Sequence, residues 1–547
     1  MDKNKLRNIS EIASLLDLSA DEYDTYGKYM AKLSLTVLNR IDSKKKRGKL
    51  ILVTAMSPTK EGEGKTTTTI GLGQAFSKLG KKVAIAIREP SLGPCFGIKG
   101  GATGGGKSKV EPSDNINLLF TGDFPAISAA HNLLSALINN HIYHGNRLRI
   151  DPRNVMFPRT MDMNDRSLRD IIVGAGNPDT GVMIRDRFVI TPASEIMAIT
   201  GLATSYKDLK ERLSRIMIGL DYDGNPVFSG QLKAEGAMAA LLKDALRPNL
   251  VQTTEGVPAF IHTGPFGNIA HGTSSIIADR MALGLADYVI TEAGFGSDLG
   301  GQKFIDMVSV MGDLPVDGIV IVATIRSIKM NGGVPSSSVM DLNALEKGSG
   351  NLLKHIEIMR NFGFEPVVAI NKFPSDHESE IKRLGEILDS VKVSWAISTV
   401  FADGGAGGME LAKKVIHSLE KNYNIRRTYN DENNIRDKIL AISQKVYGAS
   451  SVTFTKKAEK DIRDIEKFGF GKMHVCMAKT QYSITDNPEL LGWPENFTIT
   501  VKSVRISSGA GFVVPLLGDI MTMPGLPKIP ASENIDLADD GEITGLS

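Results

Sequence analysis

The chain has 547 residues, several times what a single hydrophobic core organises, so its length predicts two to four domains. Hydrophobic residues at 42% and charged residues at 23% exclude the disordered and membrane classes. Lys and Arg total 64 against 62 Asp and Glu, a formal charge of +2, which argues against nucleic acid or a membrane surface as partner and for a small-molecule substrate. Cys95 and Cys476 form no Cys-x-x-Cys pattern, residues 1–6 are polar without an apolar signal core, and no apolar run is long enough to span a bilayer. A cytoplasmic protein is expected.

In chain order, residues 21–41 predict a helix with Tyr29, Met30, Leu33 and Val37 on one apolar face, and Lys44-Lys45-Lys46-Arg47 reads as a solvated basic loop. Lys49 to Met56 predicts a buried strand. A glycine-rich loop follows, then a helix with Leu72, Ala75, Phe76 and Leu79 at i, i+3, i+4 and i+7 that stops at Gly80, then a strand over Lys82 to Ile87. Further strand-like runs lie at Ile116–Phe120, Tyr288–Thr291, Ile319–Ala323, Val367–Ile370 and Val393–Ser398, and a charged helix at Tyr206–Gly219. The expected class is α/β: a P-loop-type, mostly parallel sheet with helices on both faces, a second α/β domain and a small C-terminal domain, divided as 1–350, 351–450 and 451–547. Ligands of open α/β sheets gather where strands end, which selects Arg88, Asp123, Glu292, Arg326, Asn371 and Phe401 for inspection.

Between the first strand and its helix lies Thr59-Lys60-Glu61-Gly62-Glu63-Gly64-Lys65-Thr66. A loop of this kind turns backbone N–H groups toward phosphate at the positive end of a helix. Gly62 and Gly64 permit close approach, Lys65 supplies charge for the β and γ phosphates, and Thr66 offers a hydroxyl to Mg²⁺. Thr59 stands where the usual pattern has Gly, so the match is to a variant P-loop; the bland alternative is a plain helix start. The same residues resemble the deviant loop of dimeric positioning ATPases. Asn371-Lys372-Phe373-Pro374 lacks the Asp that would read guanine.

The segment from Arg88 to Ala102, Arg-Glu-Pro-Ser-Leu-Gly-Pro-Cys-Phe-Gly-Ile-Lys-Gly-Gly-Ala, followed by Gly104-Gly105-Gly106, closely resembles the signature of formate–tetrahydrofolate ligases. Similar stretches recur at Asp162–Arg166, Ala193–Met197, Gly264–Phe266, Asn268–Gly272, Thr291–Gly296, Ala478–Ser483 and Met521–Pro527, so the resemblance covers nearly all of the chain after about residue 49. It implies ATP-dependent ligation of formate to tetrahydrofolate through formyl phosphate, with Mg²⁺, activation by a monovalent cation, and a homotetramer. Lys65 and Arg88 are the expected catalytic residues, Lys65 on the transferring phosphoryl group and Arg88 on formate and the acyl phosphate; the bland alternative for Arg88 is a structural ion pair with Glu89 or another carboxylate. Asp123, Glu292 and Asn371 are candidates for positioning substrate, with Asp123 and Glu292 alternatively Mg²⁺ ligands or helix caps. Phe373 matches the family's pterin-stacking Phe, and Phe401 falls where members commonly have Trp. Lys99, Lys107 and the glycines 100–106 are read as a flexible connector rather than an anion loop. Pro125 and Asn331 stand where members commonly have His, and Lys372 where they have Arg. His271 lacks metal-ligand spacing and reads as a hydrogen-bonding or core histidine. A different carboxylate-activating ligase remains open, which a pair of stacking Phe residues disfavours.

Overall fold

The computed structural model describes residues 6–43, 47–60, 62–99, 101–334, 339–421 and 423–546. Lys44 to Lys46 of the basic run, Glu61 and Gly100 lie outside them. A twelve-stranded sheet organises the molecule. In chain order its strands are β1 (Tyr23–Tyr26), β2 (Met30–Leu33), β3 (Lys49–Ala55), β4 (Val83–Ile87), β5 (Gly104–Gly105), β6 (Ser108–Glu111), β7 (Asn249–Thr253), β8 (Pro258–Ile261), β9 (Tyr288–Glu292), β10 (Gly318–Ala323), β11 (Val367–Asn371) and β12 (Ser394–Ser398). Across the sheet they run β1-β2-β7-β8-β4-β9-β3-β10-β11-β12, with the β5–β6 hairpin joined to β7. From β8 to β12 every neighbouring pair is parallel. The sheet is therefore mostly parallel, as its unbroken apolar strands require.

The continuous run of β3 is explained by burial on both faces: Leu50 and Leu52 join one hydrophobic cluster, while Ile51, Val53 and Ala55 join the other. Helix α1 (Lys65–Lys78) covers the second face with Ile70, Leu72, Ala75 and Phe76. Gly71 lets the turn at Val400 approach; a side-chain carbon there would meet Val400 Cβ at 2.3 Å. Helices α2 (Asp123–Tyr143), α3 (Ile276–Leu285), α4 (Ile325–Asn331) and α5 (Leu342–Asn361) complete the part of the framework that bears on function. β11 and β12 extend the same sheet beyond β10, in register Val320↔Val367 and Asn371↔Ser398.

Residues beyond 450 pair among themselves, Ser451–Phe454 with Thr498–Val501 and Ser503–Ser507 with Phe512–Leu516. Polar contacts tie them back. Lys479 Nζ lies 2.7 Å from Asp298 Oδ2 with both side chains buried, and the Glu195 carboxylate accepts the Gly509 N–H at 2.8 Å. No helix among the described residues is long and apolar enough to cross a membrane.

Four local expectations are corrected. Residues 21–41 form not a helix but the β1–β2 hairpin, turning at Gly27 (φ 71°), with a helix only over Thr36–Asp42; pairing of β2 with β7 outweighs the helical spacing of Tyr29, Met30, Leu33 and Val37. Ile116–Phe120 is a short helix (Ser113–Asn117) ending in a turn with Phe120 at φ 45°. The helix from Tyr206 stops at Ser214, and Met217–Asp221 is a strand. The glycine connector is an ordered hairpin at Gly104–Gly105.

Asp279 on α3 is fully buried beside Thr291, and burial pushes its carboxyl from the ordinary 3.8 to about 7. The folded state thus keeps a proton that the unfolded chain has already lost. The contribution of this group to stability should be greatest below pH 4, fall as pH rises from about 4 to 7, and level off above that, a loss on the order of 4 kcal/mol. Asp279→Asn should remove that slope from denaturant unfolding measured across the range; an unchanged slope would contradict it.

Candidate active site

The carboxyl ends of β3, β4, β9, β10 and β11 converge on the Thr59–Thr66 segment. Gly62 (φ 82°) and Gly64 (φ 71°) hold left-handed backbone that a larger residue would strain, and Gly64 has a second reason to be small. A side-chain carbon there would lie 2.5 Å from the Asn371 amide nitrogen. Lys65 and Thr66 open α1.

Each neighbouring strand sends one group to this segment. From the end of β9, Glu292 accepts the Thr66 hydroxyl at 2.8 Å, and its other oxygen lies 3.8 Å from Arg88 Nε. Arg88, at the end of β4, also donates to the Pro265 carbonyl at 3.2 Å. From the end of β11, Asn371 donates to the Glu63 carbonyl at 3.1 Å. Beyond β10, Thr324 caps α4 and donates to the buried Glu63 carboxylate, which also accepts the Thr59 N–H at 2.7 Å. Arg326 donates to the Gly62 carbonyl and lays its guanidinium 4.4 Å from the centre of the Phe373 ring. From behind, Asn351 of α5 accepts the Ser57 N–H at 3.2 Å, and His355 Nε2 lies 3.2 Å from the Ser57 hydroxyl. Burial holds His355 down to about 4, so it is neutral.

Lys65, Thr66, Arg88, Glu292 and Asn371 are thus brought together with Thr59, Gly62, Glu63 and Gly64. Lys60 is exposed at the edge of the segment, and Glu61 lies outside the described residues. Phe373 and Phe401 follow the ends of adjacent strands β11 and β12. Phe401 is 54% exposed and is held by the glycine hairpin: Lys107 N–H donates to its carbonyl at 2.8 Å, and a side-chain carbon at Gly105 would touch its ring at 2.9 Å. Asp123 stands apart. It begins α2 inside a buried cluster, 2.7 Å from Lys32 Nζ and accepting Asn249 Nδ2 at 2.8 Å. The adjacent Glu89 carboxyl is held well above its ordinary range by burial and by Asp123. His271 is buried against Gly201 and pushed down to about 3 by burial.

Sequence reasoning placed Arg326 at a strand end but gave it no partner. It overlooked Glu63 as an anchor, and Ser57, Asn351 and His355 altogether. Asn351 and His355 share a helix face at i, i+4, a pattern that marks a common target without naming it.

These features define an α/β protein with a glycine-bearing turn at the ends of parallel strands, flanked by a lysine, an arginine and a carboxylate, the place where open α/β sheets generally hold their ligands. A sequence profile described as formate–tetrahydrofolate ligase matches residues 1–547. Proteins of that name from Thermoplasma volcanium and Thermoplasma acidophilum are 65% and 64% identical over 541 residues, covering 99% of this chain and 100% of theirs. One from Symbiobacterium thermophilum is 52% identical over 545 residues, covering 99% and 98%. The chain belongs to the formate–tetrahydrofolate ligase family.

Glu63 is the anchor of the turn, so Glu63→Ala should lower stability by roughly 2–4 kcal/mol by leaving the Thr59 N–H and the Thr324 hydroxyl without their acceptor. Thr324→Val, which removes the donor to that carboxylate and the cap on the Ser327 N–H, should cost about 2 kcal/mol. Native-state hydrogen exchange should quicken at residues 59–64 in both, more in the first. Unchanged protection there would show that the carboxylate does not hold the turn.

Proposed function

We propose that the chain joins formate to tetrahydrofolate, giving 10-formyltetrahydrofolate, ADP and phosphate, and that Thr59–Thr66 is the P-loop of the ATP site. The single observation that carries this is the Glu292 carboxylate joining Thr66, at the start of the nucleotide helix, to Arg88, the residue that would hold formate. Formate is a poor acyl donor because hydroxide is a bad leaving group, so phosphorylation must come first. A formate oxygen attacks the γ-phosphorus and ADP departs. The N10 amine of the folate then attacks the formyl carbon of formyl phosphate, phosphate leaves, and the amine proton is lost.

Lys65 neutralises the transferring phosphoryl group at the helix N-terminus, where the backbone N–H groups of Gly62 to Thr66 supply further positive potential. Arg88 holds the formate carboxylate and then the acyl phosphate, oriented by Glu292 and by its bond to Pro265. The Thr66 hydroxyl and Glu292 carboxylate are hard oxygen donors that fit Mg²⁺, which would supply charge neutralisation on the nucleotide phosphates. Phe373, backed by Arg326, and Phe401, propped by the glycine hairpin, offer two faces for the pterin. The cleft then lies between parts 1–350 and 351–450, which share one sheet, with 451–547 as the small third part. A homotetramer and a monovalent-cation activator accompany the proposal from the family resemblance, and a cytosolic setting from the sparse cysteines.

With purified protein, Mg²⁺ and formate, ADP and 10-formyltetrahydrofolate should appear together and only when tetrahydrofolate is present. Lys65→Ala should lower the rate by on the order of a hundredfold or more. ATP turnover indifferent to formate and folate would overturn the proposal in favour of a positioning ATPase.

Arg326 acts as a positioning residue that joins the P-loop to the pterin platform. Arg326→Ala should raise KM for both ATP and tetrahydrofolate by roughly tenfold, with a smaller fall in kcat and formate KM unchanged. Arg326→Lys should restore the ATP KM more than the folate KM, because an ammonium reproduces the bond to Gly62 but not the planar stack on Phe373. Equal effects on all three KM values would point to a general structural role.

A further inference from the structure

Along the C-terminal half of α5, a hollow of about 450 Å³ opens between that helix and the 426–448 segment. Lys354, Arg426, Arg427 and Lys445 line it, with Glu357 as the one carboxylate among the lining residues. We propose that this hollow is a second binding site, separate from the strand-end cleft, for a small polyanion carrying at least two phosphoryl or carboxylate groups.

The cations are built in. The Lys354 side chain is 6% exposed, with Nζ 2.7 Å from Glu357 Oε1, and Gly448, at φ 83°, leaves the space it occupies; a side-chain carbon there would stand 3.3 Å from Nζ. Lys445 is steered by a bond to the Thr428 carbonyl at 3.1 Å, which fixes its ammonium without neutralising it. Arg427 pairs with Asp431 at 2.6 Å and also donates to the Asp306 carbonyl at 3.3 Å. Arg426 is exposed and makes no ion pair among the described residues. Glu357 pairs with Lys354 and Asp431 with Arg427, whose charge the buried Asp306 also faces, whereas Arg426 and Lys445 make no ion pair among the described residues. Like charges drawn together at a concave, partly desolvated wall repel one another until an anion enters, and guanidinium and ammonium donors at fixed angles suit oxyanions. The volume falls within the range of small-molecule sites, well above what one inorganic ion fills.

The hollow also has a built-in reporter. Lys354 Nζ lies 5.4 Å from the centre of the Trp493 ring, and the preceding residue, Gly492, accepts from Asn351 Nδ2 at 3.0 Å. An anion that draws Lys354 from Glu357 changes the charge over that indole. Because Asn351 and His355 flank Lys354 on α5 and grip Ser57, occupation is also felt at the Thr59–Thr66 turn. That link rests on the active-site proposal, whereas anion binding itself does not.

The test uses full-length Trp395→Phe protein, in which Trp493 is the remaining tryptophan, titrated without Mg²⁺ at fixed ionic strength with inorganic tripolyphosphate and, separately, with citrate. The expected result is a saturable change in Trp493 fluorescence with at least one probe, kept when Lys65→Ala is added and weakened about tenfold or more by Arg426→Gln with Lys445→Gln. Saturation by tripolyphosphate alone assigns a phosphoryl ligand, and by citrate alone a polycarboxylate. The double Gln variant should keep its far-UV circular dichroism and its formyl-folate activity without added anion, which separates loss of the site from loss of fold. No saturable change with either probe, a change lost in Lys65→Ala, or one indifferent to Arg426 and Lys445 would overturn the proposal.

Discussion

The Glu292 carboxylate is the hinge of the site, and strand order is why it can be. β3 and β4 are consecutive along the α1 crossover but not neighbours in the sheet, because β9 lies between them, parallel to both. Its last residue therefore emerges between the turn that follows β3 and the arginine that follows β4. One oxygen takes the Thr66 hydroxyl, and the other faces Arg88. At 4% side-chain exposure the carboxylate sits in a medium where Coulomb interactions are stronger than in water, so it can orient the Thr66 hydroxyl and the Arg88 guanidinium together. With β3 and β4 paired directly, the turn and the arginine would lie side by side with no carboxylate between them.

A second constraint is that the turn carries too little apolar surface to hold itself. Its rigidity is borrowed from polar groups on three sides: Glu63 reaching Thr324, Arg326 on the Gly62 carbonyl, and Asn371 on the Glu63 carbonyl. These are buried or half-buried bonds, two of them charge-assisted, so each is costly to break. They also make the turn sensitive to α4 and to the end of β11, the elements that carry Arg326 and lead into Phe373. A shift of the Phe373 ring is passed to the Gly62 carbonyl through a single guanidinium.

Much of this was legible in the sequence because the responsible patterns are local. An apolar run, glycines, Gly-Lys-Thr and an amphipathic helix follow one another within about thirty residues, and periodicity with turn chemistry identifies each. The strand-end rule also selected Arg88, Glu292, Arg326 and Asn371, four groups that meet at or beside the turn. It failed for Asp123, because Ile116–Phe120 is not a strand and the carboxylate instead answers the buried charge of Lys32. The β1–β2 hairpin and the pair β7 and β8 were hidden for a related reason. Their strands are short, and what joins the two pairs is the bond of β2 to β7 across more than two hundred residues, which no local period records. Glu63 reads only as part of a loop, because nothing in the sequence announces that Thr324 will face it.

The positions where this chain departs from the family pattern find their reasons in the same packing. Pro125 occupies the first turn of α2, where a backbone N–H has no helical acceptor, so a proline there costs little. Asn331, at the end of α4, donates to the Ser327 carbonyl at 2.9 Å and accepts the Gly492 N–H at 3.2 Å, spending its amide on joining the helix that holds Arg326 to the loop that carries Trp493. Lys372 turns outward to Glu378, a contact a single ammonium makes as well as a guanidinium. Phe401 keeps an exposed aromatic face although it is smaller than indole, because the β5–β6 hairpin rather than its own bulk fixes the ring. Each of these residues is held by neighbours other than Thr66, Glu292 and Arg88.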